Sequence, residues 1–91
     1  MTQQRLAVNW FVFFRLGKTA KIGIVRGKHQ SLWVVEDGNG SGVYADVQLT
    51  PLFMAEGEVD MKAILPDHWQ KIVDALVKLG DEYSVLAEKL R

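Results

Sequence analysis

Residues 66–90 read PDHWQKIVDALVKLGDEYSVLAEKL, and this stretch decides the fold of the chain. Apolar residues recur in it at steps of three and four, which places them along one face of a helix and leaves charged residues on the other face. The apolar face consists of Trp69, Ile72, Val73, Leu76, Leu79, Tyr83, Leu86 and Leu90. Pro66 suits the first helical position, where its missing N–H would have no partner in any case. The spacing therefore predicts one long amphipathic helix, kinked or ended where Gly80 interrupts it.

A helix with such a wide apolar face needs a partner, and the residues before it predict a sheet. Apolar residues alternate along several stretches that loop-forming residues separate. The predicted strands span residues 6–15, 20–25, 31–36 and 43–50, with a short fifth strand at 59–65. Leu52, Phe53 and Met54 are expected in a loop beneath the sheet. The order predicts an α+β fold, in which an antiparallel sheet of four to five strands at about 5–64 is followed by one long C-terminal amphipathic helix at about 66–90.

The size of the chain sets what this fold can bury. A length of 91 residues predicts a single domain over 1–91 with a small hydrophobic core, in which Trp69 should be largely buried. Apolar surface that one copy cannot cover predicts a homodimer, formed through the helix or the outer face of the first strand. The longest apolar run, residues 6–14, is too short to span a bilayer, so no membrane partner and a cytoplasmic location are expected.

The first predicted strand is apolar on both faces. Val12 and Phe14 share one face, and Phe11 and Phe13 share the other. One face must meet the helix, and the face of Phe11 and Phe13 is assigned to solvent, a ligand or a second subunit. In the second strand, Gly23 predicts a bulge or a close approach of another part of the molecule.

Charge is segregated along a chain whose net charge is zero. Residues 1–35 hold six Lys and Arg and no acid, whereas residues 36–91 hold eleven acids and five Lys and Arg. One interpretation is a surface that faces a polyanion. The other is that basic strands pair with acidic neighbours across the sheet. The sequence leaves both open.

The residues give a poor case for an enzyme. Cysteine is absent, which excludes disulfides, thiolate metal sites and Cys nucleophiles. His29 and His68 have no Ser or carboxylate partner at a recognisable catalytic spacing. The Gly-x-Gly-x-Gly run at 38–42 precedes a strand-like stretch instead of a helix, so it does not predict a dinucleotide loop. We therefore expect no catalytic residues, no metal ligands and no cofactor.

Aromatic residues interleaved with cations on the predicted strands are typical of a surface that binds single-stranded nucleic acid. On such a surface bases stack on the rings and cations contact phosphates. The predicted phosphate contacts are Arg15, Lys18, Lys21, Arg26 and Lys28, and the predicted stacking residues are Phe11, Phe13 and Trp33. The alternative is that these rings form the core or a dimer seam, because exposed rings are costly.

The strand-to-helix junction adds a resemblance. Residues 63–72, AILPDHWQKI, are similar to the junction of the positive-cofactor-four coactivators, in which a Pro-acid-polar-Trp turn opens a long amphipathic helix. Related single-strand binders of the Whirly and purine-rich-element-binding types share the plan of four strands and one helix. The resemblance implies helices that form a dimer and curved sheets that present a nucleic-acid surface.

Two functions follow as hypotheses. The first is a non-catalytic single-stranded DNA- or RNA-binding protein, acting as an accessory factor in transcription or replication. The second is a small protein-binding module, of the phage inhibitor or adaptor type, that uses an apolar sheet face.

Overall fold

The structure, a computed structural model, describes residues 6–64, 66–80 and 85. The strands are β1 Trp10–Leu16, β2 Thr19–His29, β3 Leu32–Asp37, β4 Gly40–Tyr44 and β5 Thr50–Met54, and the helix is α1 Pro66–Lys78. Two single 3-10 turns lie at Asp46–Gln48 and Met61–Ala63. All strand pairs are antiparallel. The predicted α+β fold class is confirmed, including the sheet that precedes the helix.

Three strand predictions are wrong in position. One is the strand expected at 43–50, because β4 spans Gly40–Tyr44 and a 3-10 turn follows it at Asp46–Gln48. The second strand, predicted to end at residue 25, continues through His29, and the turn falls at Gln30, whose φ is 58°. The fifth strand is β5 at residues 50–54 and not 59–65, where the second 3-10 turn lies. Pro51 fits inside β5 because β5 is an edge strand, where a missing N–H breaks no ladder bond.

The sheet is curled. Its strand order is β4-β3-β2-β1-β5, so the chain passes from one edge to the other through residues 45–49 alone. Four strand spacings separate the edges of a flat five-stranded sheet by about 19 Å. A link that contains a 3-10 turn spans only about 16 Å from Tyr44 to Thr50. The sheet must therefore curve toward the side that residues 45–49 cross.

Helix α1 covers the convex face of this sheet. Ile72, Val73 and Leu76 are buried there against Phe11 and Phe13 of β1. We call this group, together with the other buried residues around it, the outer cluster. The complete outer cluster is Phe11, Phe13, Ile22, Ile24, Ala55, Val59, Met61, Ile72, Val73 and Leu76. Trp69 is only half-buried at its margin, so the expectation that Trp69 is largely buried is wrong.

The concave face carries a second set of buried residues. This inner cluster consists of Val12, Phe14, Val25, Val35 and Leu49. Leu49 belongs to the link between β4 and β5, so that link forms the lid of the inner cluster. Both faces of β1 are thus covered within one copy of the chain, and the outer face of the first strand does not call for a second subunit.

Helix α1 ends at Lys78, and Gly80 follows with a φ of 134°. An L-residue rarely adopts that φ, so a glycine is favoured where the helix stops. The expectation that Gly80 kinks or ends the helix is confirmed, and the helix that starts at Pro66 is shorter than the long helix predicted at about 66–90. The remainder of the predicted helix, at 81–84 and 86–90, lies outside the described residues.

Candidate interaction surface

Two of the predicted phosphate contacts are already paired with acids. The Nζ of Lys21 lies 3.4 Å from Oδ2 of Asp37, and the Nη2 of Arg26 lies 3.4 Å from Oε1 of Glu36. Arg26 also donates to the main-chain carbonyl of Val59, which ties the segment after β5 to the sheet. Both ion pairs join β2 to β3. The interpretation in which basic strands pair with acidic neighbours is therefore confirmed for these two cations.

The other predicted cations lie toward opposite ends of β2, with Arg15 and Lys18 near its first residue and Lys28 near its last. Arg15 is exposed near the end of β1, and Lys18 is exposed in the turn that follows β1. Lys28 is exposed near the far end of β2. Their roles as phosphate contacts stay a prediction, and the structure does not gather the five cations into one patch.

The predicted stacking residues divide into two kinds. Phe11 and Phe13 are 0% and 4% exposed in the outer cluster, so the expectation that they face solvent, a ligand or a second subunit is wrong. The ring centroid of Phe11 lies 4.8 Å from that of Phe53 and 6.0 Å from that of His68. A base cannot stack on rings that are enclosed in this way. Trp33 differs, because it is half-buried at the margin of the inner cluster.

Trp33 occupies the centre of a row that crosses three strands. It pairs with Lys28 of β2 on one side and with Tyr44 of β4 on the other. The Nζ of Lys28 lies over the indole ring, 4.9 Å from its centroid, in a cation–π contact. Tyr44 is half-buried, and its ring centroid lies 4.7 Å from that of Phe14 in the inner cluster. Contacts with the inner cluster therefore hold the rings of Trp33 and Tyr44 on one side, while part of each ring stays accessible to solvent.

The link between β4 and β5 borders this row and is firmly held. The indole N–H of Trp33 donates to Oδ1 of Asp46. The main-chain N–H of Ala45 donates to Oε1 of Gln48 at 3.0 Å, and the N–H of Leu49 donates to the carbonyl of Asp46 at 3.1 Å. Leu49 is buried in the inner cluster, which anchors the end of the link.

Val47 stands at the tip of this anchored turn and is 94% exposed. We define the crossover surface as Lys28, Trp33, Tyr44, Asp46 and Val47. It combines two partly accessible aromatic rings, one cation, one carboxylate and one aliphatic side chain on a fixed backbone. Such a set can offer apolar contact area together with a few oriented polar groups.

Sequence reasoning identified Lys28 and Trp33 but missed the other members of the crossover surface. In the strand predicted at 43–50, alternation places Val43 and Val47 inward and Tyr44 and Asp46 outward. The structure reverses this for Val43, Tyr44 and Val47, and for Val47 the reason is that β4 ends at Tyr44 and the chain then turns. The period-two alternation of an uninterrupted strand does not apply across a 3-10 turn. Gln48, which accepts from the N–H of Ala45, was the available signal for such a turn.

Comparisons with known proteins add no relative. The chain matches no protein-family model, no curated protein and no solved structure. Within the described ranges, no helix is long and apolar enough to cross a membrane. The same ranges hold no group of three His, Asp or Glu residues arranged to bind a metal ion.

Proposed function

We propose that this chain is a protein-binding module whose contact site is the crossover surface. The observation that carries the proposal is the exposed side chain of Val47 on a turn that hydrogen bonds and Leu49 hold in place. Covering one aliphatic side chain of this size is worth about 1.5–3 kcal/mol. Because the turn is ordered before binding, little of that gain is lost in ordering the backbone.

The neighbours of Val47 support a protein partner over a polyanion. Trp33 and Tyr44 are of the residue types that concentrate at the centres of protein interfaces. Asp46 places a carboxylate beside the exposed valine, which disfavours an approaching phosphate. The pairing of Lys21 with Asp37 and of Arg26 with Glu36 also removes two cations that a nucleic-acid surface would use.

Replacing Val47 with Asp is expected to weaken partner binding strongly while the fold stays intact. A charge at the centre of a desolvated contact should weaken affinity at least about tenfold, which corresponds to 1.4 kcal/mol. Lysate from the source cells would be passed over immobilised parent and variant, and the retained proteins quantified by mass spectrometry. Thermal melting would verify that the variant folds, since an exposed site should change stability by no more than about 0.5 kcal/mol.

Leu16→Asp is the matched control for this experiment. Leu16 is also an exposed aliphatic residue, but it pairs with Thr19 at the start of β2, whereas Lys28 of the crossover surface lies near the end of that strand. A protein retained by the parent and by Leu16→Asp, and lost with Val47→Asp, supports the proposal. The same retained proteins on all three would refute it.

Single-stranded nucleic acid is the second candidate ligand for the same surface. The observation in its favour is the Lys28 ammonium over the Trp33 ring, which places a phosphate-binding group beside a stacking platform. A labelled oligonucleotide titrated at two salt concentrations tests it. If this candidate is right, Lys28→Glu weakens binding and flattens the salt slope by roughly 0.7 for the lost phosphate contact. No binding to the parent at low salt excludes it.

A further inference from the structure

The two edges of the sheet are protected to different degrees. On β5, Pro51 lacks an N–H, the strand is mostly half-buried, and α1 packs beside it. Strand β4 has the sequence GSGVY, without a charge or a proline, and its Ser41 and Val43 are exposed. Edge strands usually carry charged residues, prolines or a covering element that prevents pairing with other chains. Strand β4 has none of these along its free edge within the described part of the chain.

The strand register shows which main-chain groups face that free edge. A two-residue turn joins β3 to β4, and Asp37 pairs with Gly40 directly across it. Such a closing pair exchanges both hydrogen bonds, and hydrogen-bonded pairs then alternate along an antiparallel ladder. Gly40, Gly42 and Tyr44 therefore bond to β3. The N–H and C=O groups of Ser41 and Val43 point outward, and no other strand among the described residues pairs with this edge.

We propose that β4 pairs with β4 of a second copy of this chain, antiparallel and about a two-fold axis at Gly42. In this register Ser41 lies opposite Val43 of the second copy, and Val43 lies opposite its Ser41. All four of these residues have outward-facing groups, so the junction forms four main-chain hydrogen bonds. The two Gly42 residues then meet in the close, non-hydrogen-bonded position, where the absence of side chains allows the approach. The product is one continuous sheet of ten strands.

A second copy fits this edge because the strand is complementary to itself. An interface with two-fold symmetry places a patch against its own image, so a charge at the axis would meet a like charge. Strand β4 contains no charge. Its exposed apolar side chain, Val43, is 49% exposed and would be covered beside Ser41 of the second copy. The free edges that remain in the dimer are the two β5 strands, which are the protected ones.

Sedimentation equilibrium of the full chain tests this interface with two double variants at the same positions. The parent is expected to have twice the monomer mass of 10.3 kDa. In Ser41→Lys/Val43→Lys, each lysine faces a lysine of the second copy, and the protein should sediment as a monomer. In Ser41→Lys/Val43→Glu, each lysine faces a glutamate, and the dimer should persist. In that variant Lys also lies beside Glu36 of its own chain, which is the cross-strand partner of residue 41.

Each outcome decides for or against the proposal. A dimeric parent, a dimeric Lys/Glu variant and a monomeric Lys/Lys variant support it. A monomeric parent overturns it. A Lys/Lys variant that stays dimeric shows that copies associate through another surface, and a Lys/Glu variant that is monomeric overturns the register about Gly42. Circular dichroism of each variant would establish that β4 still forms, because both changes lie on its solvent-exposed positions.

Discussion

Phe11→Ala is expected to lower the free energy of unfolding by about 3–5 kcal/mol, because it removes a fully buried ring from the centre of the outer cluster. Phe11 contacts Phe53 of the neighbouring strand and lies beside the first turn of α1. Its loss leaves a cavity where helix and sheet meet, and neither element can close it without moving the other. Thermal unfolding would show a fall of more than about 12 °C for a domain of this size.

Trp69→Ala serves as the comparison for Phe11→Ala. Trp69 is larger than Phe11 but only half-buried, so less of its surface leaves water on folding. We expect Trp69→Ala to destabilise the protein less than Phe11→Ala does. A Phe11→Ala variant that melts within a few degrees of the parent would contradict the burial of Phe11 and return it to the ligand-facing role predicted from the sequence.

Gly23→Ala is expected to destabilise the protein by about 1–3 kcal/mol or more, through a steric clash in the centre of the sheet. A Cβ at position 23 would lie 2.5 Å from Cγ1 of Val35, 2.9 Å from the main-chain oxygen of Glu36 and 3.1 Å from Cε1 of Phe14. Val35 and Phe14 are buried in the inner cluster, and the Glu36 oxygen belongs to β3, which pairs with β2. None of these atoms can move away cheaply. Chemical denaturation of parent and variant measures the effect.

Gly27→Ala is the matched control on the same strand. A Cβ at position 27 has no neighbour within 4 Å, and the φ of Gly27 lies outside the left-handed region. The added methyl group mainly reduces the freedom of the unfolded chain, so Gly27→Ala should be neutral or stabilise by about 0.4–1 kcal/mol. Equal stabilities of the two alanine variants would mean that the close approach at Gly23 is not a constraint on the fold.

The sequence predicted those parts of the fold that depend on local patterns. The three- and four-residue spacing of Ile72, Val73 and Leu76 is a property of neighbouring residues, so the helix and its buried face could be identified. Gly23 was also identified as a position of bulge or close approach, because a glycine weakens a strand and is unusual inside one. The position of β5 could not be predicted, since Thr50–Met54 becomes a strand by pairing with the distant β1.

The candidate site was predicted only in part, for a similar reason. A count of charges along the chain cannot show that Lys21 will meet Asp37, because the β2–β3 register brings them together. The apolar character of Phe11 fits a stacking surface and a core equally well, and only the packing of α1 decides between them. Val47 became a candidate once the 3-10 turn was seen to place it at a tip.

The pairing of β1 with β5 also determines which part of the chain carries the largest entropic cost of folding. Strands β1 to β4 join through short hairpin turns, whereas in an unfolded chain bringing Thr50 beside Phe13 closes a loop of roughly 35 residues and costs about 2–3 kcal/mol more than closing a two-residue turn. Once β5 is in place, α1 follows after a short connection and adds its own burial beside it. The entropic cost of loop closure therefore arises once and positions both β5 and α1. We expect the C-terminal part of the domain, β5 and α1, to fold and unfold as one unit.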